Sequence, residues 1–368
     1  MENKIRHVLG ISGGKDSAAL AIYLKHKHPQ LDIEYYFCDT GKELDETYEL
    51  IKNVEIYLGK KIVRLEAVPN SHETPFDHFY KLFGGYLPSS SSRWCTRTLK
   101  LAPFEKWVGS APVISYVGIR GDEDREGYIS KKSNIQSVFP FRKNIWSEEI
   151  ISIVLQNENI PNLAQLYEKY IDKAKLKRAL EIVNEPLSFK FSQLSKLNAL
   201  LDVSIMALNK IVFDFLKTTE YPLSYADDFP LLDNEDVLVR DDIFRILRES
   251  GVGVPKYYEK VEFEVNGKKG EYARSRSGCF FCFFQQKIEW IWLYEQHPDK
   301  FKLAMGYEKD GYTWIQDERL EDLIQSERIH QIKEEHLKRT TRSVNKKSLY
   351  LLDILDEAEG EGCAACFV

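Results

Sequence analysis

The segment that most constrains the fold is the string SGGKDS at residues 12–17, because it stands between a strand-like run and a helical pattern. An apolar run covers residues 5–11, and apolar residues then recur at helical spacing over residues 16–27. A glycine-rich turn lets the backbone approach phosphate oxygens closely, and the N-terminus of the following helix favours an anion. The order of strand, glycine-rich turn and helix therefore predicts a phosphate-binding loop.

The side chains of this loop are suited to a phosphate group. Ser12 and Ser17 offer hydroxyl donors, Lys15 offers a positive charge, and the two glycines leave the backbone accessible. Asp16 is unusual beside phosphates, unless it caps the helix or helps to hold Mg²⁺. The string is not the G-x-x-x-x-G-K-[ST] loop, so the sequence does not indicate the usual mechanism at a γ-phosphate.

Strand and helix patterns alternate along the first 140 residues. Further strands are predicted at residues 33–37, 61–68 and 113–119, and an amphipathic helix at residues 44–58. This alternation predicts an α/β fold with a parallel sheet, in which ligands bind at the C-terminal ends of the strands. Three polar segments follow predicted strands and are expected at that edge: residues 12–17, 38–43 and 118–125.

Three regions differ in character along the 368 residues. A chain of this length exceeds one usual hydrophobic core, so several domains or one domain with large insertions are expected. We predict a phosphate-loop domain at residues 1–140, a mainly helical domain at 141–270, and a cysteine-containing region with a mobile tail at 271–368. The later helices are predicted at residues 146–167, 171–183, 191–216, 241–249, 288–294 and 325–338.

Charge and hydropathy argue against several classes of partner. The formal net charge is -6, so no global basic field points to a polyanion, although a local basic groove is compatible with it. No run of about eighteen uninterrupted apolar residues occurs, so no membrane span and no membrane partner are predicted. Residues 1–7 are charged and do not resemble a signal peptide, and we expect a cytoplasmic protein.

The cysteines indicate metal or thiol chemistry rather than a disulfide framework, which is unusual in a long chain of this kind. The six cysteines are Cys38, Cys95, Cys279, Cys282, Cys363 and Cys366. Four of them form two C-x-x-C pairs, which together supply the ligands of a structural Zn²⁺ site. We interpret Cys38 as a small buried strand residue. The last two cysteines, called the tail pair below, lie in the predicted mobile tail.

The loop at residues 12–17 resembles the PP-loop of the ATP pyrophosphatase superfamily, whose members adenylate a substrate and release pyrophosphate. Three further segments resemble the phosphoadenosine-phosphosulfate reductase-like branch, in the family's order. They are a D-T-G segment with Asp39 and Thr40, a cysteine–arginine–lysine–proline segment with Arg97 and Lys100, and a G-I-R-x-D-E-x-x-R segment with Gly118, Arg120 and Arg125. The resemblance covers roughly residues 8–126 and implies an adenine-nucleotide α-hydrolase-like fold that binds ATP and Mg²⁺.

Roles for individual residues follow from this resemblance and from their chemistry. Arg120 and Arg125 are candidates for clamping an oxyanion, since a guanidinium matches it bidentately. Asp39 is a candidate for holding Mg²⁺ or a ribose hydroxyl, and Lys15 and Asp16 are the catalytic candidates in the loop. The residues expected to bind the nucleotide are Ser12, Gly13, Gly14, Lys15, Asp16, Ser17, Asp39, Thr40, Arg97, Lys100, Gly118, Arg120 and Arg125.

The resemblance also suggests an iron–sulfur alternative to zinc. In adenylyl-sulfate reductases with a cluster, a Cys-Cys pair joins a downstream C-x-x-C, but here Trp94 replaces one cysteine of that pair. Three ligands remain, namely Cys95, Cys279 and Cys282, as in tRNA-thiolating members whose 4Fe-4S cluster has one open iron. The tail pair, Cys363 and Cys366, would then be catalytic by carrying a persulfide, or would supply the fourth ligand. Zinc on both C-x-x-C pairs stays open.

Sulfur insertion is the function that this resemblance favours. ATP would activate an acceptor by adenylation, and a sulfur relay fed by a cysteine desulfurase would displace AMP. The overall pattern resembles the sulfur-transfer component of DNA-phosphorothioation systems, which makes the DNA backbone the favoured acceptor and a tRNA base a possible one. Two alternatives remain: a reductase for adenylyl sulfate or phosphoadenylyl sulfate, and a nucleotide-sensing module without activity.

Overall fold

A five-stranded parallel sheet forms the centre of the computed structural model, which describes residues 4–123 and 130–343. The strands are β1 (Arg6–Gly10), β2 (Ile33–Asp39), β3 (Ile62–Glu66), β4 (Val113–Tyr116) and β5 (Ile135–Val138). Their order is β3-β2-β1-β4-β5, and every neighbouring pair is parallel. The predicted α/β class is therefore confirmed. β5 was not predicted, because it is short and two of its four residues are polar.

Helices cover both faces of this sheet. They are α1 (Lys15–Lys27), α2 (Asp45–Leu58), α3 (Pro75–Leu82), α4 (Trp94–Thr96) and α5 (Ala102–Val108), and a π-helical turn at Arg97–Leu101 joins the last two. Side chains alternate between faces along a strand, so Tyr35 and Phe37 pack with α1 and α2 in one core. Tyr36 and Cys38 pack on the opposite face against Phe104 of α5.

The region after β5 is helical, as predicted, with shorter elements. Its helices are α6 (Glu148–Val154), α7 (Ile160–Tyr170), α8 (Lys173–Asn184), α9 (Gln193–Val203), α10 (Ile205–Leu216) and α11 (Arg240–Glu249). The helix predicted at residues 146–167 is interrupted by a turn after Leu155, and the one at 191–216 by Ser204, whose side chain caps α10. These helices share one hydrophobic core with α1 and α2. A domain boundary at residue 140 stays a prediction.

The C-terminal region has an aromatic core of its own. It contains the antiparallel hairpin β6 (Val261–Val265) and β7 (Lys268–Tyr272), followed by α12 (Lys287–Gln296), α13 (Pro298–Met305), α14 (Leu320–Leu323) and α15 (Ser326–Ser343). Phe280, Phe281, Trp290 and Trp292 are buried in this core. In the described ranges, none of the helices combines the length and apolar character needed to cross a bilayer.

Candidate active site

The loop at residues 12–17 connects β1 to α1 at the C-terminal edge of the sheet. Gly13 adopts a positive φ of 75°, which favours glycine, and Gly14 is the N-cap of α1. The Ser17 hydroxyl accepts a hydrogen bond from Ser12 N at 3.1 Å and donates to Gly14 O at 3.2 Å. The loop is therefore wound tightly around the first turn of a helix, where an anion is favoured.

Two cations converge on Asp16 in this first turn. Lys15 Nζ lies 2.8 Å from Asp16 Oδ2, and Arg120 Nη1 lies 2.9 Å from Asp16 Oδ1. The side chains of Lys15, Asp16 and Arg120 are only 8%, 7% and 12% exposed. Burial lowers the pKa of Arg120, but Asp16 and Glu123 outweigh that effect and raise it above the usual value. Arg120 thus stays charged beside the loop.

Gly118 allows the end of β4 to approach the phosphate loop. A Cβ atom at Gly118 would lie 3.0 Å from Asp16 O and 3.3 Å from Ser17 N. Both neighbours are backbone atoms of α1, which cannot move aside easily. A glycine at this position therefore brings Arg120, two residues later, onto the first turn of α1.

The D-T-G segment lies at the end of the neighbouring strand β2. Asp39 is 1% exposed and accepts hydrogen bonds from Gly41 N at 2.6 Å and from the Tyr48 hydroxyl at 3.0 Å. The Thr40 hydroxyl donates to Glu43 Oε1 at 2.7 Å. Burial and the nearby Asp39 carboxylate raise the pKa of Glu43 to about 7. This edge of the site is therefore acidic, buried and held rigidly.

The cysteines of the predicted cluster approach this segment. Cys279 Sγ lies 3.2 Å from Thr40 Oγ1, and Phe280 N donates to Lys42 O at 2.8 Å. Burial and the neighbouring Cys282 raise the pKa of Cys95 to about 12. Burial and Glu43 raise the pKa of Cys279 well above its usual value. The C-x-x-C pair and Cys95 thus influence one another beside the D-T-G segment.

A complete metal site is not formed by these thiols as they stand. Within residues 4–123 and 130–343, no group of three His, Cys, Asp or Glu side chains could hold a metal ion. Lys100 partly offsets the rise in the pKa of Cys95, while Arg97 is exposed to solvent. Arg125 and the tail pair, Cys363 and Cys366, lie outside the described residues. The cluster, the zinc site and the sulfur relay all stay predictions.

Residues far along the chain cover the phosphate loop, and the sequence reasoning missed them. The Tyr257 hydroxyl donates to Gly13 O at 2.7 Å, and the Tyr258 hydroxyl accepts from Lys15 N at 3.4 Å. Ser277 Oγ would lie 2.4 Å from a Cβ atom placed at Gly14. No local motif marks these residues, because their role depends on tertiary packing alone.

Arg274 connects the phosphate-loop cover to the C-x-x-C loop. It is 3% exposed, its backbone N–H donates to Tyr257 O at 2.9 Å, and its Nη2 donates to Cys279 O at 3.0 Å. Since Tyr257 contacts Gly13 through its hydroxyl, a continuous set of hydrogen-bonded residues runs from the phosphate loop to Cys279. The loop at residues 12–17 and the C-x-x-C segment therefore form one structural unit.

Comparisons with known proteins agree with this geometry. Residues 6–174 match the phosphoadenosine phosphosulfate reductase domain. An uncharacterized protein of Methanocaldococcus jannaschii is 33% identical over 180 residues, which is 45% of this chain and 34% of that protein. An uncharacterized nin region protein of Escherichia phage lambda is 28% identical over 145 residues, which is 32% of this chain and 49% of that protein. The chain thus spans less than half the length of these relatives.

The matched range contains the phosphate loop, the D-T-G segment and the Gly118 segment, but it ends before the residues that cover the loop. The domain family consists of enzymes that act on nucleotides in sulfur-related chemistry. Residues 6–174 therefore belong to the phosphoadenosine-phosphosulfate reductase-like branch of the PP-loop superfamily.

Proposed function

We propose that the protein binds ATP at residues 12–17 and cleaves it between the α- and β-phosphates to adenylate an acceptor for sulfur insertion. The observation that carries this proposal is the pairing of Lys15 and Arg120 on Asp16, at 2.8 Å and 2.9 Å, in the first turn of α1. Two buried cations at a helix N-terminus suit a polyphosphate, which would take over their interactions with Asp16.

The proposed reaction has two steps, which are adenylation of the acceptor and displacement of AMP by sulfur. An acceptor oxygen attacks the α-phosphorus of ATP and pyrophosphate leaves, so that the oxygen becomes part of a good leaving group. A sulfur nucleophile then displaces AMP, which departs with that oxygen. Lys15 and Arg120 would stabilise the charge that develops on the phosphates during the first step.

Mg²⁺ has a suitable oxygen ligand in Asp39. Its Oδ2 is buried and accepts no hydrogen bond from the described residues, although Arg64 Nη2 lies 2.6 Å away in an ion pair. An aspartate oxygen of this kind is typical of magnesium–phosphate sites, where the ion neutralises phosphate charge. We propose that Asp39, together with Asp16, holds the ion.

The sulfur chemistry is supported by the contact between Thr40 Oγ1 and Cys279 Sγ at 3.2 Å. We propose that Cys95, Cys279 and Cys282 hold a 4Fe-4S cluster, which would supply the sulfur-binding iron. Among the described residues these three thiols are not arranged as a metal site, so holding a cluster would require them to rearrange around it. Metals bind thiolates, and burial that raises a thiol pKa opposes ionisation unless a metal supplies positive charge. Burial raises the pKa of Cys95 and Cys279, so ionisation of these thiols would have to accompany cluster binding.

The alternative ligand set for these thiols is a zinc site on both C-x-x-C pairs. Iron and acid-labile sulfide content, measured on protein purified without oxygen, separates the two assignments. The cluster predicts a brown protein that loses its colour in Cys279→Ser and keeps it in Cys38→Ser, since Cys38 is buried in a separate core with Phe104 and its Sγ donates to Lys100 O at 3.4 Å. Colourless protein with stoichiometric zinc would contradict the cluster.

The acceptor and the sulfur source are the least constrained parts of the proposal. We propose a cysteine desulfurase as the sulfur donor and the DNA backbone as the favoured acceptor, with a tRNA base as the second possibility. If Cys363 carries the sulfur as a persulfide, its terminal sulfur bonds to the acceptor, and Cys366 then releases the product by forming a disulfide with Cys363.

Pyrophosphate release tests the proposal. We expect AMP and pyrophosphate from ATP and Mg²⁺ in the presence of nucleic acid and a cysteine desulfurase with cysteine as the sulfur source. Lys15→Ala should lower this release at least about a hundredfold, because it removes a charge-assisted contact to the phosphates. Lys27→Ala is the matched control, because Lys27 is on the same helix but is 54% exposed and pairs with Asp236. Normal pyrophosphate release by Lys15→Ala would contradict the role of the loop.

The reductase remains the alternative, because the matched domain takes its description from a phosphoadenosine phosphosulfate reductase. Such an enzyme receives a substrate that is already activated, so it has no need to cleave ATP. Sulfite release from adenylyl sulfate or phosphoadenylyl sulfate, with a thiol reductant and without ATP cleavage, would establish that function instead. Nucleotide binding without either product would indicate a nucleotide-sensing module.

A further inference from the structure

Two arginines approach one phenylalanine next to the cysteine pair. The Arg93 guanidinium carbon lies 4.9 Å from the ring centroid of Phe284, and that of Arg276 lies 5.3 Å from the same centroid. Phe283 packs beside Phe284 with a centroid separation of 4.3 Å. We call Arg93, Arg276, Phe283 and Phe284 the arginine–phenylalanine platform. Both of its phenylalanines are only partly buried.

The platform differs from the aromatic core that adjoins it. Phe280 and Phe281 in the same segment are 3% and 2% exposed and pack inside the C-terminal core. Phe283 still packs against that core from its edge, but both it and Phe284 are only partly buried. Phe283 and Phe284 therefore keep aromatic surface accessible directly after the C-x-x-C pair.

The position of the platform relates it to the sulfur chemistry. Arg93 lies two residues before Cys95, and Phe284 lies two residues after Cys282. The contact between Arg93 and Phe284 consequently brings the two cysteine-bearing segments together, and Cys282 affects the pKa of Cys95. A ligand on the platform would lie at the entrance to the cysteines.

The positive charge around the platform contrasts with the negative net charge of the whole chain. The chain has a formal net charge of -6, whereas Arg93, Arg97, Lys100 and Arg276 bring four cations to the segments around Cys95 and Cys282. In the part of the chain that the structure describes, no carboxylate pairs with Arg93 or Arg97, and Arg97 is exposed. Arginines of this kind are suited to phosphate oxygens, and the adjacent rings to base stacking.

We propose that the arginine–phenylalanine platform binds a single-stranded segment of nucleic acid: Arg93 leaves the Phe284 ring for a phosphate, Arg97 holds a second phosphate, and a base stacks on the ring surface that Arg93 has left. This inference rests on the proposed function and identifies the surface that receives the acceptor. A single strand is favoured over a duplex because stacking on a side chain requires a base face that pairing and stacking in a duplex conceal. The strand would present its backbone or an extruded base to the cysteines.

Fluorescence anisotropy with a labelled oligonucleotide tests this inference in the full-length protein without ATP. The probe is a single strand of about 16 nucleotides, in DNA and RNA forms, with the corresponding duplex for comparison. We expect Phe284→Leu, which keeps an apolar side chain but removes the ring, to weaken single-strand binding about tenfold, equivalent to about 1.4 kcal/mol. Arg93→Gln should lower the slope of log affinity against log salt by about 0.7.

The chain offers a matched control for these variants. Arg248 lies 5.6 Å from the Phe244 centroid on helix α11, an arginine–phenylalanine contact outside the platform, and it is exposed. Arg248→Gln should leave affinity and salt dependence within about twofold of the wild type. This change is smaller than the one that the loss of one phosphate contact would cause. Arg93→Lys keeps the positive charge, so the slope of log affinity against log salt should stay unchanged. It loses the planar guanidinium contact, so the affinity should fall.

The outcomes separate this inference from the proposed function. Equal affinities for wild type, Phe284→Leu and Arg93→Gln would overturn the inference, even if ATP cleavage proceeds normally. Absence of single-strand binding, or a preference for the duplex, would overturn it as well. Platform-dependent binding by a protein that never releases pyrophosphate would uphold it while refuting the proposed reaction. If DNA binds more tightly than RNA, DNA is the acceptor class.

Discussion

A substitution at Gly14 tests whether the C-terminal region packs on the phosphate loop. Gly14 has φ -96° and ψ 161°, which alanine adopts without strain, so any cost must come from contacts. A Cβ atom there would lie 2.4 Å from Ser277 Oγ and 3.1 Å from Ser277 Cβ. Relieving such overlap typically costs about 1–3 kcal/mol. Gly14→Ala should therefore lower the free energy of unfolding by about that amount.

A second substitution, Ser277→Gly, should restore the free energy of unfolding that Gly14→Ala removes. Ser277→Gly deletes both atoms that the new methyl group would meet, so the double variant should recover most of the loss, with a coupling energy of about 1–2 kcal/mol. Urea unfolding of the nucleotide-free protein, followed by tryptophan fluorescence, measures all four free energies. The nucleotide is left out because a methyl group at Gly14 would also meet the phosphates.

Gly13→Ala is the internal control for this cycle. Its methyl group would lie 2.2 Å from Thr47 Cγ2, and its φ of 75° adds a backbone cost of about 1–2 kcal/mol for a residue with a side chain. Ser277→Gly should therefore fail to rescue Gly13→Ala. Additive effects of Gly14→Ala and Ser277→Gly, or equal rescue of both alanine variants, would refute the packing of Ser277 on the loop.

Two further predictions concern the same loop. Tyr257→Phe removes the donor to Gly13 O at 2.7 Å and should lower the free energy of unfolding by about 1–2 kcal/mol in urea, so wild-type stability would contradict that hydrogen bond. Asp16→Asn removes the carboxylate shared by Lys15 and Arg120 and should cost about 3 kcal/mol. Added pyrophosphate should raise the melting temperature of this variant more than that of the wild type, and an equal shift would argue against an anion site.

The elements at the C-terminal edge of the sheet were predictable because their signals are local. The loop at residues 12–17 combines a strand, two glycines and a helix start within a few positions. Asp39 is the last residue of β2, and Gly118 follows the end of β4 by two residues. Parallel strands place such segments at one edge of the sheet. Sequence alone therefore located the phosphate loop and its acidic neighbour.

Some elements were missed although the sequence carries a signal for them. The β6–β7 hairpin turns at Asn266 and Gly267, both with positive φ, and Asn-Gly between alternating residues is a strong hairpin signal. Ser204 similarly marks the start of α10 as an N-cap, with its hydroxyl accepting from Ala207 N. Ser204 lies inside the stretch 191–216 that hydrophobic periodicity predicts as a single helix, whereas no element is predicted for the hairpin residues.

The cover of the phosphate loop could not have been predicted from local patterns. Tyr257, Tyr258 and Ser277 reach the loop from more than 240 positions away in the chain, and each is an ordinary core residue type in its own segment. Their role follows from how the C-terminal region packs on the sheet domain. The same packing brings Cys279 to Thr40, which no spacing in the sequence indicates.

The central claim is that ATP is cleaved between its α- and β-phosphates at the loop where Lys15 and Arg120 share Asp16. Chromatography of the products from ATP labelled at the α-phosphate, with Mg²⁺, single-stranded nucleic acid and a cysteine desulfurase with cysteine present, tests it most directly. We predict labelled AMP with an equal amount of pyrophosphate, and at least about a hundredfold less of both from Lys15→Ala. Labelled ADP with free phosphate, or unchanged ATP with every acceptor, would contradict the claim.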